Sequence, residues 1–282
     1  MTSIFLRFPR GKKKALTLSY DDGVEQDAQL MKIMDTYGIK GTFNLNSGLF
    51  ATEDNVYPQN QIHRRMTEKQ AKILYSNSGH EVAVHGVTHS FLEQLPLSTA
   101  LHEVLEDRKN LEHLFGIVVR GMAYPYGTYS AELVEGLRSV GIAYSRCIEY
   151  TGKFSIPKDW LQLKPTCHHK NSNLMKLAEK FTSETPNREP WLFYLWGHSY
   201  EFEADNNWNI IENFCQKTGN RLDVWYATNI DIYDYIEAYH RLQFSVDCKI
   251  VHNPSNSTIW FETDGNLCRV YGGETVKLPD KR

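Results

Sequence analysis

The chain has 282 residues, 41% hydrophobic and 23% charged, which suits one large α/β domain or two modest ones and excludes a disordered or low-complexity protein. A formal net charge of -3 leaves no basic footprint for nucleic acid, and the one dense cationic run, Arg10 to Lys14, is expected to be a solvated leader to the first strand. Five widely spaced cysteines without a CxxC pair point to reduced thiols. The absence of an apolar leader and of any membrane-length span points to a cytoplasmic chain.

The first predicted strand runs through "ALTLSY" and ends at two adjacent carboxylates, Asp21 and Asp22, before Gly23. Adjacent negative charges repel, and Asp is a poor strand former, so the pair either caps the next helix or performs chemistry. The following stretch, "VEQDAQLMKIMDTYG", spaces Ala28, Met31, Met34 and Tyr37 at helical intervals. A second helix opens at Thr67 with a capping-box pattern that closes on Gln70. A third spans "LSTALHEVLEDRKNLEHLFG", and others are expected near 171 to 181, 207 to 218 and in "NIDIYDYIEAYHRL".

Glycines punctuate the passage from helix to β run at "YGIKGTFNL", "SGHEVAVH", "FGIVVRGMAY", "VGIAYSR" and "TGNRLDVWY", as left-handed helix ends do. Roughly seven βα units follow, which predicts an α/β barrel over residues 1 to 240, closed rather than open. From 241 to 282 the pattern changes to short alternating runs, "FSVDCKIVHNPS", "STIWFETDG", "LCRVYGG" and "TVKLPD". This predicts a small antiparallel β appendage, too small to bury a core alone and therefore packed on the barrel.

Functional groups in parallel α/β folds gather where strands end. His85 ends the run "HEVAVH", His89 follows four residues later, and His198 closes "WLFYLWGH". Two imidazoles at that spacing, with one carboxylate, make a three-ligand set for a zinc-like ion. Neighbouring residues at a strand end face opposite sides, so one Asp can bind the metal while the other takes a proton from water. The alternative is that His85 is half buried, His89 caps a helix and the Asp pair does the same. The run "KPTCHHK" (Cys167, His168, His169) allows substrate contact, a second metal site or a loop packed on the barrel rim.

"LSYDDG", "GHEVAVHGVTH", "AYPYG" and "LWGH" resemble, in order, the motifs of the polysaccharide deacetylase family, over about residues 15 to 240. These are metal-dependent carbohydrate esterases built on a NodB-type domain with a distorted (β/α)7 barrel. The resemblance implies that Asp21 is the catalytic base and that Asp22, His85 and His89 hold one divalent ion, zinc first, with cobalt, nickel, manganese or iron as alternatives. It implies that the Tyr126 amide stabilises the oxyanion, that His198 is the general acid, and that His80 is not a ligand. The family's arginine that holds the base is replaced by Ala123, and Arg120 lies three residues upstream. Asp159 and Trp160 are a candidate for the motif that tunes the acid histidine.

Tyr124, His168, Trp196 and Tyr200 are the candidate substrate contacts, because aromatic faces suit sugar C–H faces. The expected reaction is removal of N-acetyl groups from an amino sugar, an oligosaccharide or a polysaccharide. Hydrolysis of a small non-sugar amide, or carbohydrate binding without catalysis, are the alternatives. The sequence sets no oligomeric state.

Overall fold

The computed structural model describes residues 3–279. In chain order the elements are β1 (Ile4–Arg7), β2 (Lys14–Asp21), α1 (Asp27–Thr36), β3 (Gly41–Leu45), α2 (Glu68–Tyr75), β4 (Glu81–Val84), α3 (Leu97–Phe115) and β5 (Gly121–Ala123). They continue with α4 (Ala131–Ser139), β6 (Tyr144–Arg146), β7 (Cys167–His168), α5 (Leu174–Ser183), β8 (Trp191–Gly197), α6 (Tyr200–Ala204), α7 (Asn209–Thr218), β9 (Val224–Tyr226) and α8 (Asn229–His240). Five short strands close the order: β10 (Gln243–Phe244), β11 (Ile250–His252), β12 (Ile259–Thr263), β13 (Asn266–Val270) and β14 (Thr275–Lys277).

The parallel strands lie in the order β6-β5-β4-β3-β2-β8-β7, with β9 also paired to β2. This sheet curls into the distorted barrel. The segment before β7 draws its edges together: Leu163 exchanges backbone bonds with Ser145 and Cys147, while Thr166 donates to Tyr194 O. All eight residues of β2 are buried, and the strand's period of two sorts them. Leu16, Leu18 and Tyr20 join the apolar core shared with the surrounding helices. Ser19 and Asp21 instead meet Asn44 of β3 in the barrel's interior, where Nδ2 of Asn44 lies 2.9 and 2.8 Å from their side-chain oxygens. A polar interior on an apolar scaffold is the consequence, and it opens at the strands' C-terminal ends.

The capping box at Thr67 is formed in both directions, Gln70 N donating to Thr67 Oγ1 and Thr67 N to Gln70 Oε1. The first helix begins at Asp27, one residue before its apolar spacing starts at Ala28, with Gln26 at its N-cap. Asp21 and Asp22 therefore cap nothing.

Strand β12 pairs with β1 on one side and β13 on the other, so the small antiparallel layer draws on both ends of the described chain. Phe8, Ile236, Phe261 and Val270 belong to the core that joins it to α8 and the barrel. The Arg10–Lys14 run is not a solvated leader throughout: Lys14 is buried on β2 against Asp223, and Lys12 donates to Val224 O. All five cysteines are free thiols. No helix among the described residues is long and apolar enough to cross a membrane.

Candidate active site

The strand ends bring Asp21, Asp22, His85, His89 and His198 together. Asp21, 2% exposed, occupies the centre: its Oδ2 is 3.8 Å from His85 Nε2 on one side and 3.8 Å from His198 Nε2 on the other. Asn44 Nδ2 donates to Oδ1 at 2.8 Å, and Arg146 Nη2 donates to Oδ2. Burial works hardest against ionisation of this carboxyl, yet Arg146, His85 and His198 outweigh it and hold its pKa below the usual carboxylate range.

Arg146 is one of the residues that sequence reasoning missed. Position 146 on β6 pairs laterally with position 123 on β5, so the guanidinium enters the barrel from the strand next to the alanine. Its guanidinium carbon lies 4.3 Å from the ring centroid of Trp196, a cation–π contact that supports a charge with almost no access to water. Arg120 points elsewhere, to Asp234 on the outside.

The metal-type donors are Asp22, His85 and His89, whose ligand atoms all lie within 4.8 Å of one another. His85 bonds Ala123 O through Nδ1 at 2.8 Å, which leaves Nε2 facing the site. A backbone carbonyl behind a ligating imidazole commonly fixes its orientation in this way. Burial lowers the pKa of His85 to about 4 and also lowers that of His89, so both rings are neutral with a lone pair to offer. This donor chemistry fits a divalent cation. Asp22 and His89 both have left-handed backbones, φ 86° and 55°, strain of a kind that concentrates at functional sites.

Asp22 is gripped by a loop that carried no recognisable pattern in the sequence. His63 Nε2 lies 3.2 Å from its Oδ2, and Arg65 Nη2 lies 3.0 Å from Oδ1 while Nη1 donates to the Asp22 carbonyl and to Asn46 Oδ1. Between them, Arg64 pairs with Glu25 and Glu203 and so seats the loop on α6. Burial opposes ionisation of Asp22 most strongly, but the His63 contact and Arg65 overcome it and hold the carboxyl far below its usual value.

His198 stands with its Nδ1 3.4 Å from Glu201 Oε2, three residues ahead at the start of α6. Burial alone would lower its pKa; the Glu201 contact, Asp21 and Asp22 raise it above the usual histidine value instead. Glu201 is thus the carboxylate behind the imidazole. Asp159 is not: it caps Leu161 N and faces Arg138, and Trp160 packs on Tyr233.

Among the other expected contacts, Tyr126 sits in a left-handed turn with φ 58°, its ring 4.5 Å from that of His89 and stacked on Phe91. Tyr200 borders His198 and His63 at 5.3 and 4.8 Å between ring centroids. His168 reaches Glu201 at 3.2 Å. Two of the expected contacts are buried instead. Tyr124 is 1% exposed and donates its hydroxyl to Leu161 O, so it packs in the barrel wall. Trp196 is also buried, as the floor beneath Arg146, because its position on β8 points inward beside Ser19. His80 accepts from Gly41 N and faces Asp35.

Residues 9–145 match the family model described as polysaccharide deacetylase. A putative polysaccharide deacetylase from Mycobacterium smegmatis has a similar solved structure, 14% identical over 83% of this chain and 94% of that one, with a TM-score of 0.56. The Xyl-CE4 domain of a multidomain xylanase from the hindgut metagenome of Trinervitermes trinervoides is 13% identical over 80% of this chain and 92% of its own, with a TM-score of 0.51. The match to the Streptococcus pyogenes deacetylase PplD, solved in complex with acetate, is 21% identical, covers 52% of this chain and 61% of that one, and has a TM-score of 0.45. This chain therefore spans less than two thirds of that protein. At such identities the likeness is one of fold. No curated protein matches the sequence.

Proposed function

We propose that this chain, which through residues 9–145 belongs to the polysaccharide deacetylase family, hydrolyses the N-acetyl groups of an amino sugar or of a polymer containing one. The observation that carries the proposal is the central carboxylate, Asp21, set between a metal-type triad and a protonated-type histidine at 3.8 Å from each. A divalent ion held by Asp22, His85 and His89 would polarise the amide carbonyl and acidify the attacking water.

The chain's own residues divide the remaining work. Asp21, ionised and anchored by Arg146 and Asn44, accepts the proton of the water as its oxygen bonds to the acetyl carbon. The Tyr126 backbone amide is the donor assigned to the developing oxyanion, a contribution of about 3 kcal/mol for one preorganised donor. As the C–N bond breaks, His198 gives its proton to the departing amine, and its raised pKa keeps that proton available near neutrality. Acetate and a free amino sugar result. Tyr200, partly exposed beside His198, would contact the sugar ring.

Acetate release from an N-acetylglucosamine oligomer should be abolished by removal of metal, restored by zinc or cobalt, and nearly lost in Asp21→Asn. Turnover that ignores both metal removal and Asp21→Asn refutes the proposal. Turnover of small soluble amides in preference to the oligomer would redirect it to another substrate class.

A further inference from the structure

Beyond the triad at Asp22, a second group of donors meets on the far side of Asp21, and its arrangement exceeds what hydrogen bonding needs. Glu201 Oε2 has His168 Nε2 at 3.2 Å, His169 Nε2 at 3.2 Å, His198 Nδ1 at 3.4 Å and the His198 backbone nitrogen at 3.3 Å. Four nitrogens surround one oxygen that has two lone pairs. Lys170 Nζ occupies the other oxygen, Oε1, at 3.2 Å and also reaches Asp205, so Oε2 is left to the imidazoles.

The spacing is that of a coordination shell. In a tetrahedral zinc site with bonds near 2.0–2.1 Å, neighbouring ligand atoms stand about 3.3 Å apart. The Glu201 to His168 and Glu201 to His198 separations bracket that value. The ligand atoms of His168, His198 and Glu201 all lie within 4.8 Å of one another, as do those of the Asp22 triad.

His169 adds an independent observation. It is 2% exposed, wedged against Phe202 and so close to the strand that a side chain at Gly197 would meet its Nδ1 at 2.0 Å. Its Nε2 stands 3.2 Å from Glu201 Oε2, yet neither ring nitrogen is matched by a hydrogen bond. A buried imidazole with an unsatisfied nitrogen beside the cluster is a polar atom in need of a partner.

We propose that His168, His198 and Glu201, backed by His169, form a second divalent-cation site whose occupancy inhibits the enzyme. Coordination at His168 Nε2 moves that ring's proton to Nδ1, which gives up the 3.1 Å bond it now accepts from Lys170 N. Coordination at His198 Nδ1 takes the place of a proton, so the ring ceases to be an imidazolium. The binding half of this proposal stands without any reaction; the inhibitory half rests on the role given above to His198.

Metal counting on the full chain, stripped by a chelator and dialysed against zinc, separates the two halves. The wild-type chain should take up two zinc ions, His89→Ala one, and Glu201→Gln and the partly exposed His168→Ala one each. Cobalt(II) should show two saturating steps in its visible spectrum, the later one missing from Glu201→Gln. A wild-type chain that saturates at one equivalent, or a Glu201→Gln chain that still takes two, overturns the site. With the site present, excess zinc should inhibit acetate release, and the half-inhibiting concentration should rise ~tenfold or more in His168→Ala, measured against that variant's own uninhibited rate. Two bound ions without inhibition overturn the inhibitory half alone, and two bound ions on a protein that releases no acetate count against the proposed reaction, not against the site.

Discussion

Removing the Arg146 guanidinium tests the centre of the site. Arg146 and Asp21 are both buried and directly bonded, and Trp196 lies against the guanidinium. Breaking a buried pair by deleting one partner leaves the other charge uncompensated and typically costs about 3–5 kcal/mol. Asn44 still holds Oδ1 in the variant, so the carboxylate keeps one of its two anchors. Misplacement of a catalytic group by about 1 Å costs ~10²-fold in rate, which sets the expected fall in kcat for Arg146→Ala, with KM little changed. A purely structural arginine would also lower stability, so the decisive experiment is a transplant. Residues paired in a parallel ladder point to the same side of the sheet, and Ala123 faces Arg146 across β5 and β6. The double variant Ala123→Arg/Arg146→Ala restores a guanidinium to the barrel interior from the neighbouring strand. Acetate release assayed under saturating substrate should recover much of the lost kcat. A single variant with normal kcat, or a folded double variant no better than the single one, would refute the positioning role.

Three further outcomes are expected. His198→Gln should lower kcat on an N-acetyl sugar by ~10²–10⁴ yet cost far less on an aryl acetate ester, whose leaving group needs no proton; equal losses on both would remove the acid role. Tyr124→Phe should leave turnover unchanged and lower stability by about 1 kcal/mol in urea melts, since only the buried bond to Leu161 O is lost; a marked fall in turnover would restore Tyr124 to the substrate contacts. Glu81, half-buried beneath the barrel among Thr42, Tyr144 and the Ile230 amide, has its carboxyl pushed up to about 7 by desolvation. The folded chain therefore keeps a proton that the unfolded chain releases above about pH 4.5, and stability falls as pH rises from there to 7, by about 3 kcal/mol from this group. Glu81→Gln should flatten that decline, and urea midpoints that fall with pH as steeply as in the wild type would contradict the assignment.

Most of the barrel is legible in the sequence because its signals are local. A glycine past a helix end and a capping box such as Thr67 to Gln70 act over a few residues, and each names its element wherever the rest of the chain lies. The period of two along β2 is local as well, and it separates Leu16, Leu18 and Tyr20 from Ser19 and Asp21. What it does not show is that an N-terminal strand, β1, completes the layer begun by β12 and β13, since that pairing joins residues more than 250 positions apart. The same holds for the lysines at 12 to 14: Lys14 is buried because Asp223 is brought to it by β9.

The site divides along the same line. Asp21, Asp22, His85, His89 and His198 all announce themselves as polar residues at the ends of apolar runs, and the fold gathers them because parallel strands end at one face. The residues that complete their chemistry act sideways. Arg146 reaches Asp21 across the barrel, His63 and Arg65 reach Asp22 from a loop without periodicity, and Glu201 collects imidazoles from two strand ends. A signal for Arg146 did exist: "YSR" places an arginine inside a β run, where an unpaired charge is costly and a carboxylate partner is needed. The alanine at 123 and the arginine at 146 are then one observation, because the charge that balances Asp21 is absent from one strand and present at the laterally paired position of the next. What the site requires is a cation at a place in the barrel's cross-section, and the ladder allows either of two strands to supply it.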